Sequence, residues 1–162
     1  MQPRVGVSLS TIEQARARPD SHYEDGIRRF AREWSQGTRF SLTIRSRSSG
    51  EPVGSVELRP RPETSGEADV SYMVAVELRG RGLAPMALEA LLAWGKRELG
   101  VWRAHIACHV ENAASRRVAE KCGFRLVGRF GDEFRFHRDM DSDLESQAST
   151  TGASLTSGRD GF

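Results

Sequence analysis

Cysteine is nearly absent: Cys108 and Cys122 are the only two in 162 residues. Their separation matches no metal-ligand spacing and no disulfide framework. Each reads as a small buried hydrophobe, one in a strand and one at a helix end. Lysine is as scarce, with Lys96 and Lys121 alone among 24 lysines and arginines. Long apolar runs are missing, and no stretch approaches the roughly 20 uninterrupted apolar residues of a membrane span. Near the N-terminus, Val5-Gly6-Val7-Ser8-Leu9 soon meets Glu13, Arg16 and Arg18, which does not read as the apolar core of a secretory signal. The expectation is a cytoplasmic protein with no membrane partner. A large excess of one charge is missing too, the formal net charge being only +2. No basic run alternates with aromatics, which disfavours nucleic-acid binding.

What remains is an ordinary globular composition, 38% hydrophobic and 28% charged, in a length that suits one domain. Residues 11–34 read as helix, broken near Pro19-Asp20-Ser21, with Ile27, Phe30, Ala31 and Trp34 on one apolar face. Phe40–Ile44 alternates as a strand, Ser48–Glu51 turns, and Val53–Leu58 returns. After a loop through Pro60-Arg61-Pro62, a third strand spans Asp69–Val76, with Val70, Tyr72, Val74 and Val76 on one side. Short connections favour an antiparallel meander. A helix then carries Leu88, Leu91, Leu92, Gly95 and Leu99 inward and ends at Gly100. Trp102–Val110 is the next strand, and its return through a helix predicts a parallel pairing. A short helix over Ala113–Cys122 stops at Gly123, and Phe124–Phe130 and Phe134–His137 form a hairpin about Gly131-Asp132. From Asp141 onward almost nothing is apolar, so residues 141–162 read as a disordered tail behind a domain over 1–140. The element order implies a mixed sheet with helices on both faces.

The most informative segment is Arg79-Gly80-Arg81-Gly82-Leu83-Ala84, between a strand and a helix. The first N–H groups of a helix lack intrahelical partners and sit at the positive end of its dipole. Glycines let that backbone approach an anion closely, and two arginines add charge. The physical reading is a phosphate or pyrophosphate cradle. A P-loop would end in Gly-Lys-Ser/Thr, where Leu83-Ala84-Pro85 stands. A dinucleotide fingerprint would need Gly or Ala where Pro85 stands, and an acidic residue where Trp102-Arg103-Ala104 runs.

Arg79-x-x-Gly82-x-Ala84 is similar to the Gln/Arg-x-x-Gly-x-Gly/Ala motif of the GNAT superfamily of acetyl-CoA-dependent N-acetyltransferases. Asp69-Val-Ser-Tyr72 before it resembles the Glu-x-Gly-Tyr strand of the RimJ/RimL branch. Asn112-Ala-Ala-Ser115 through Gly123-Phe124 resembles that branch's Asn-x-x-Ser helix ending in Gly-Phe. The resemblance covers about residues 8–140 and is sharpest from about 67 to 130. It implies an α+β fold, a three-layer α/β/α sandwich whose mixed sheet combines an antiparallel meander with a parallel strand pair at the cofactor site. It also implies an acetyl group moved from acetyl-CoA to a primary amine, on a protein N-terminus or a small molecule. Backbone groups of Tyr72, Met73 and Val74 are expected to pair with the pantetheine arm. Gly80, Arg81, Gly82, Leu83 and Ala84 are expected to hold the pyrophosphate with Arg79 near, and Asn112 to hydrogen-bond the arm. Asn112 is equally a good N-cap.

Many superfamily members carry a tyrosine in this helix as the acid for the leaving thiol, and the matching position here is Ala119. Ser115 stands in as the RimL-type substitute, and Asp69 matches the branch's strand carboxylate, a candidate proton acceptor through water. Family members usually begin with another strand and helix before the segment matching Ser10–Ala15, so the chain is expected to lack them. The alternative function is a catalytically idle CoA-binding domain. His105 and His109 share strand parity without a third ligand, so no metal is expected. Phe124, Phe130, Phe134 and Phe136 read as core or as the surface of a homodimer.

Overall fold

In a computed structural model, residues 7–11 and 21–140 are described. The tail over 141–162 and the proposed helix break at Pro19-Asp20 lie outside them. The elements are β1 (Val7–Thr11), α1 (Ser21–Ser35), β2 (Phe40–Ser46), β3 (Pro52–Pro60), β4 (Glu67–Val74), a 3₁₀ turn (Val76–Leu78), α2 (Leu83–Leu99), β5 (Arg103–His109), α3 (Ala113–Lys121), β6 (Arg125–Phe130) and β7 (Glu133–Asp139). They build a seven-stranded sheet in the order β1-β2-β3-β4-β5-β7-β6.

The pairing of β4 with β5 is parallel, and those flanking it are antiparallel. Opposite register partners show how alternation makes two faces. Leu58 faces Val70, Ala68 faces Ala104 and Ile106 faces Phe136, all on one side of the sheet. These side chains are buried, and α2 covers that face with Ala87, Leu88, Leu91 and Leu92. Each fully buried leucine contributes roughly 1.5–3 kcal/mol. α2 contacts β1, β3, β4 and α3. Gly95 makes the closest approach: a Cβ there would stand 2.6 Å from Leu58 Cδ1. The opposite face is polar. α1 packs on β2, and the Arg39 guanidinium lies over the Phe30 ring while it donates to Glu57 at 2.5 Å. Trp34 of the same helix also meets Phe40 and Trp94 on the α2 side, and the mixed sheet with its helices agrees with the order read from the sequence.

Two local readings change, and a third divides. Val7–Thr11 is a strand antiparallel to β2, so Thr11 does not begin a helix. Five residues, VSLST, are too few for alternation alone to declare a strand, and pairing with β2 decides the matter. The strand expected to run to Val76 ends at Val74, because the chain turns there to reach α2, leaving Val76 68% exposed. Of the four phenylalanines, Phe124 and Phe136 are core, Phe134 packs against it, and Phe130 is exposed.

Candidate active site

The site begins where two strands part. β4 pairs with β5 only through Glu67, Ala68 and Asp69, opposite Arg103, Ala104 and His105. Both strands continue, β4 to Val74 and β5 to His109, with no further pairing between them. On its other edge β4 stays bonded to β3 as far as Val74. The backbone of Ser71–Val74 thus turns one edge toward a gap, where an extended amide-bearing chain can satisfy it. Arg79 closes the end, its Nε donating to the Val74 carbonyl at 3.2 Å.

The second component is the start of α2. Gly82 is its N-cap with φ 76° and ψ 11°, a left-handed conformation that glycine adopts at least cost. Among the described residues no side chain caps the helix, and a Cβ on Gly82 would meet nothing within 4 Å. The N–H groups of Leu83 and Ala84 follow at the positive end of the dipole, and Pro85 carries none to waste.

The third component is α3. Asn112 caps it, Oδ1 accepting from the Ser115 N–H at 3.0 Å, so the N-cap role foreseen for it is present. Ser115 faces inward, and its Oγ accepts a hydrogen bond from the Tyr72 hydroxyl at 3.1 Å. Burial pushes the Tyr72 phenol above its ordinary pKa, and the Ser115 contact pulls it back. The helix ends at Gly123, φ 73°, with the Phe124 N–H returned to Ala119.

Together these enclose a cleft of about 440 Å³. Tyr72, Met73 and Val74 form one wall, Gly80, Gly82, Leu83 and Ala84 the head, and Asn112 and Ser115 the opposite wall. Of the residues expected to hold the cofactor, only Arg81 stays outside the lining; it is exposed beside it. Two cations were not foreseen. Arg117 and Lys121 also line the cleft, with Ala114 and Val118 beside them. Their spacing along one face of α3 was the available signal. Among the described residues they make, with Arg79, three cations, and no carboxylate lines the cleft. The arrangement suits a chain that is apolar and amide-bearing at one end and polyanionic at the other.

Asp69 lies on the other face of the sheet, apart from Ser115. Its Oδ2 accepts from Arg61 Nε at 3.1 Å and its Oδ1 from Arg61 Nη2 at 2.7 Å. It lines a second hollow of about 450 Å³ with His105, His137, Glu133 and Arg135. His105 Nε2 stands 2.5 Å from Glu67 Oε2. This pairing escaped sequence reasoning because it depends on which residues face each other across the parallel pair. His109 points to a different partner, Glu111. Among the described residues no three His, Cys, Asp or Glu side chains gather in a metal-binding group. Cys108 and Cys122 are buried as expected, and burial pushes the Cys122 thiol up to about 11.

YdaF of Bacillus subtilis (strain 168), whose name describes a ribosomal N-acetyltransferase, is 30% identical over 83 residues. That stretch is 51% of this chain and 45% of the relative, so the chain matches less than half of that protein's length. RimL, described as a ribosomal L7/L12 alpha-N-protein acetyltransferase, has a TM-score of 0.72 at 21% identity, covering 85% of this chain and 95% of its own. Spermidine N-acetyltransferase from Vibrio cholerae, solved with CoA and spermine, has a TM-score of 0.71 at 16% identity, covering 85% and 98%. At these identities the shared property is the fold. Residues 7–125 match the family model of the acetyltransferase (GNAT) domain, well over half of the sequence, and the chain belongs to that family.

Proposed function

We propose that this protein transfers the acetyl group of acetyl-CoA to a primary amine, either a protein N-terminal α-amine or a small-molecule amine. One observation carries the reading: the parted edge of β4 and the uncapped start of α2 open into a single cleft whose ionisable lining, among the described residues, includes Arg79, Arg117 and Lys121 and no carboxylate. The residues fit the co-substrate. Backbone of Tyr72–Val74 would pair with the pantetheine amides, and a backbone N–H there would face the thioester carbonyl as negative charge develops on its oxygen. N–H groups from Gly80 to Ala84, with Arg79 and Arg81, would hold the pyrophosphate, and Asn112 the arm.

The chemistry is attack by a neutral amine on the thioester carbon. The protein holds both partners in reach, takes a proton from nitrogen and helps the thiol leave. Ser115 stands on the cleft side and Asp69 on the far side of the sheet, so departure and deprotonation are assigned to opposite faces. Asp69 keeps lone pairs for a water although both oxygens bind Arg61. An α-amine, with a pKa of about 7.7–8.0, is partly neutral at physiological pH, whereas a lysine amine near about 10.4 is not. A carboxylate engaged by arginine suits the former.

That engagement also favours a second reading. An Asp69 held by Arg61, with Ala119 at the usual tyrosine position, would fit a CoA-binding domain with a regulatory or interaction role. The two separate in one assay of free thiol, with acetyl-CoA and a panel of lysine-free peptides and polyamines. Acceptor-dependent release supports transfer. Tight acetyl-CoA binding without release supports the idle domain.

A further inference from the structure

The leaving thiol departs on the cleft side of the sheet, so its proton has to come from a group there. Ala119 supplies none: it is a core residue, 1% exposed. Ser115 alone is a weak acid, because its alkoxide is far too basic to form near neutral pH. A hydroxyl of this kind gives up its proton only when it is given one in turn.

β4 places such a donor against it. The Tyr72 phenol donates to Ser115 Oγ at 3.1 Å, a contact between positions 43 residues apart that only the packing of α3 on the sheet creates. The Ser115 backbone is held in turn by Asn112, which fixes the first turn of α3. Tyr72 and Ser115 both line the cleft beside Met73 and Val74, where the thioester belongs.

We propose that Tyr72 is the proton source for the leaving thiol, acting through the Ser115 hydroxyl; this rests on the acetyltransferase reading of the cleft. As the carbon–sulfur bond breaks, its electron pair stays on sulfur. Ser115 passes its hydroxyl proton to that sulfur, forming the S–H bond. Tyr72 passes its phenolic proton to Ser115 Oγ, so serine ends neutral and the negative charge rests on the Tyr72 phenolate. Solvent at the cleft mouth reprotonates it. The proton that the amine loses leaves on the opposite face, so one amine proton is exchanged for one thiol proton overall.

Burial holds the Tyr72 phenol above its ordinary pKa, so it keeps its proton until the thiolate forms; handing that proton along the hydrogen-bonded chain is an uphill step, and reprotonation of the phenolate by solvent completes it. Arg117 and Lys121 of α3 and Arg79 before α2 line the same cleft. Cys108 of β5 and Cys122 after α3 are the other titratable groups that bear on Tyr72, and burial pushes both thiols up, so neither competes as the acid.

The test uses the full chain and the variants Tyr72→Phe, Ser115→Ala and the double variant. Each single change is expected to lower kcat by about 10²-fold with acetyl-CoA affinity near wild type. The double variant should be no slower than the slower single one, because the two groups act in series. A second readout needs no acceptor: ultraviolet titration of the thiol of bound CoA. The wild-type protein should ionise that thiol at lower pH than either variant, since the relay donates to the thiolate. Should Tyr72→Phe not fold, Ser115→Ala breaks the relay from its other end and carries the same titration. A kcat for Tyr72→Phe close to wild type, or losses that multiply in the double variant, overturns the relay and leaves the acetyltransferase reading standing. If the wild-type protein binds acetyl-CoA but acetylates no amine, that reading falls instead. The relay then falls with it, whereas in an active protein identical titration curves for wild type and Tyr72→Phe overturn the relay alone.

Discussion

Replacing Gly82 with aspartate tests the cradle with two separable effects. The first is on the free protein. Gly82 has φ 76°, so any L-residue there carries the left-handed penalty of about 1–2 kcal/mol, less for aspartate than for branched residues. There is no steric term, because a Cβ at Gly82 meets nothing within 4 Å. At roughly 2–4 °C per kcal/mol, the unliganded variant should melt roughly 2–8 °C lower. The second effect is on the complex. Acetyl-CoA at about 100 times its dissociation constant stabilises the wild-type protein by about 2.7 kcal/mol. That corresponds to a rise of roughly 5–10 °C. A carboxylate about 5 Å from a phosphate charge opposes binding by roughly 3 kcal/mol at an effective dielectric of about 20, enough to erase the rise. Gly82→Ala shares the strain without the charge and should retain more of the shift. Thermal melting with and without acetyl-CoA separates the terms, since the ligand-induced shift is read against each variant's own baseline. A full shift in Gly82→Asp would refute the placement of the pyrophosphate at the head of α2.

Asp69→Asn should slow turnover by about 10²-fold, read as kcat/KM with a free-N-terminus peptide, while acetyl-CoA binding stays at the wild-type level because Asp69 lies outside the cleft. Gly95→Val drives a side chain into Leu58, which is fully buried, and should cost about 1–3 kcal/mol by chemical denaturation. Phe136→Ala, at a position 1% exposed, should cost about 3–5 kcal/mol. Cys122 gives a pH signature. Its folded-state pKa is raised by burial from 9.0 to about 11, so the folded form holds its proton longer than the unfolded one. Its contribution is complete below pH 9 and is lost as pH rises toward 11, by up to about 1.4 kcal/mol per pH unit. The stability of Cys122→Ala should therefore fall less steeply across that window than that of the wild-type protein.

The parts legible in the sequence are those governed by local chemistry. Gly82 before Leu83-Ala84-Pro85 marks a helix start because caps and φ preferences act within a few residues. Gly123-Phe124 marks a helix end and Gly131-Asp132 a hairpin for the same reason. The parallel return through α2 followed from element order. What escaped depends on pairing across the sheet or on which helix face turns inward. Tyr72 was noticed for its backbone, and its hydroxyl acquires meaning only when α3 brings Ser115 to it. Asp69 reads in the sequence as a candidate proton acceptor, while Arg61, eight residues earlier in the preceding loop, proves to be its partner. Arg117 and Lys121 belong to no motif in the sequence, and only the packing of α3 turns their face to the cleft. β1 was missed because its evidence lies in β2.

The central claim is that this cleft delivers an acetyl group to an amine, and a matched pair of peptides tests it most directly. One peptide has a free N-terminus and no lysine; the other is N-terminally blocked and carries one lysine. Each is incubated with acetyl-CoA and the protein, and thiol release is followed together with the peptide mass. The account predicts thiol release matched by one acetyl added to the α-amine of the first peptide, at a rate well above that of the second. Thiol release without a mass increase, or faster acetylation of the blocked lysine peptide, would contradict it.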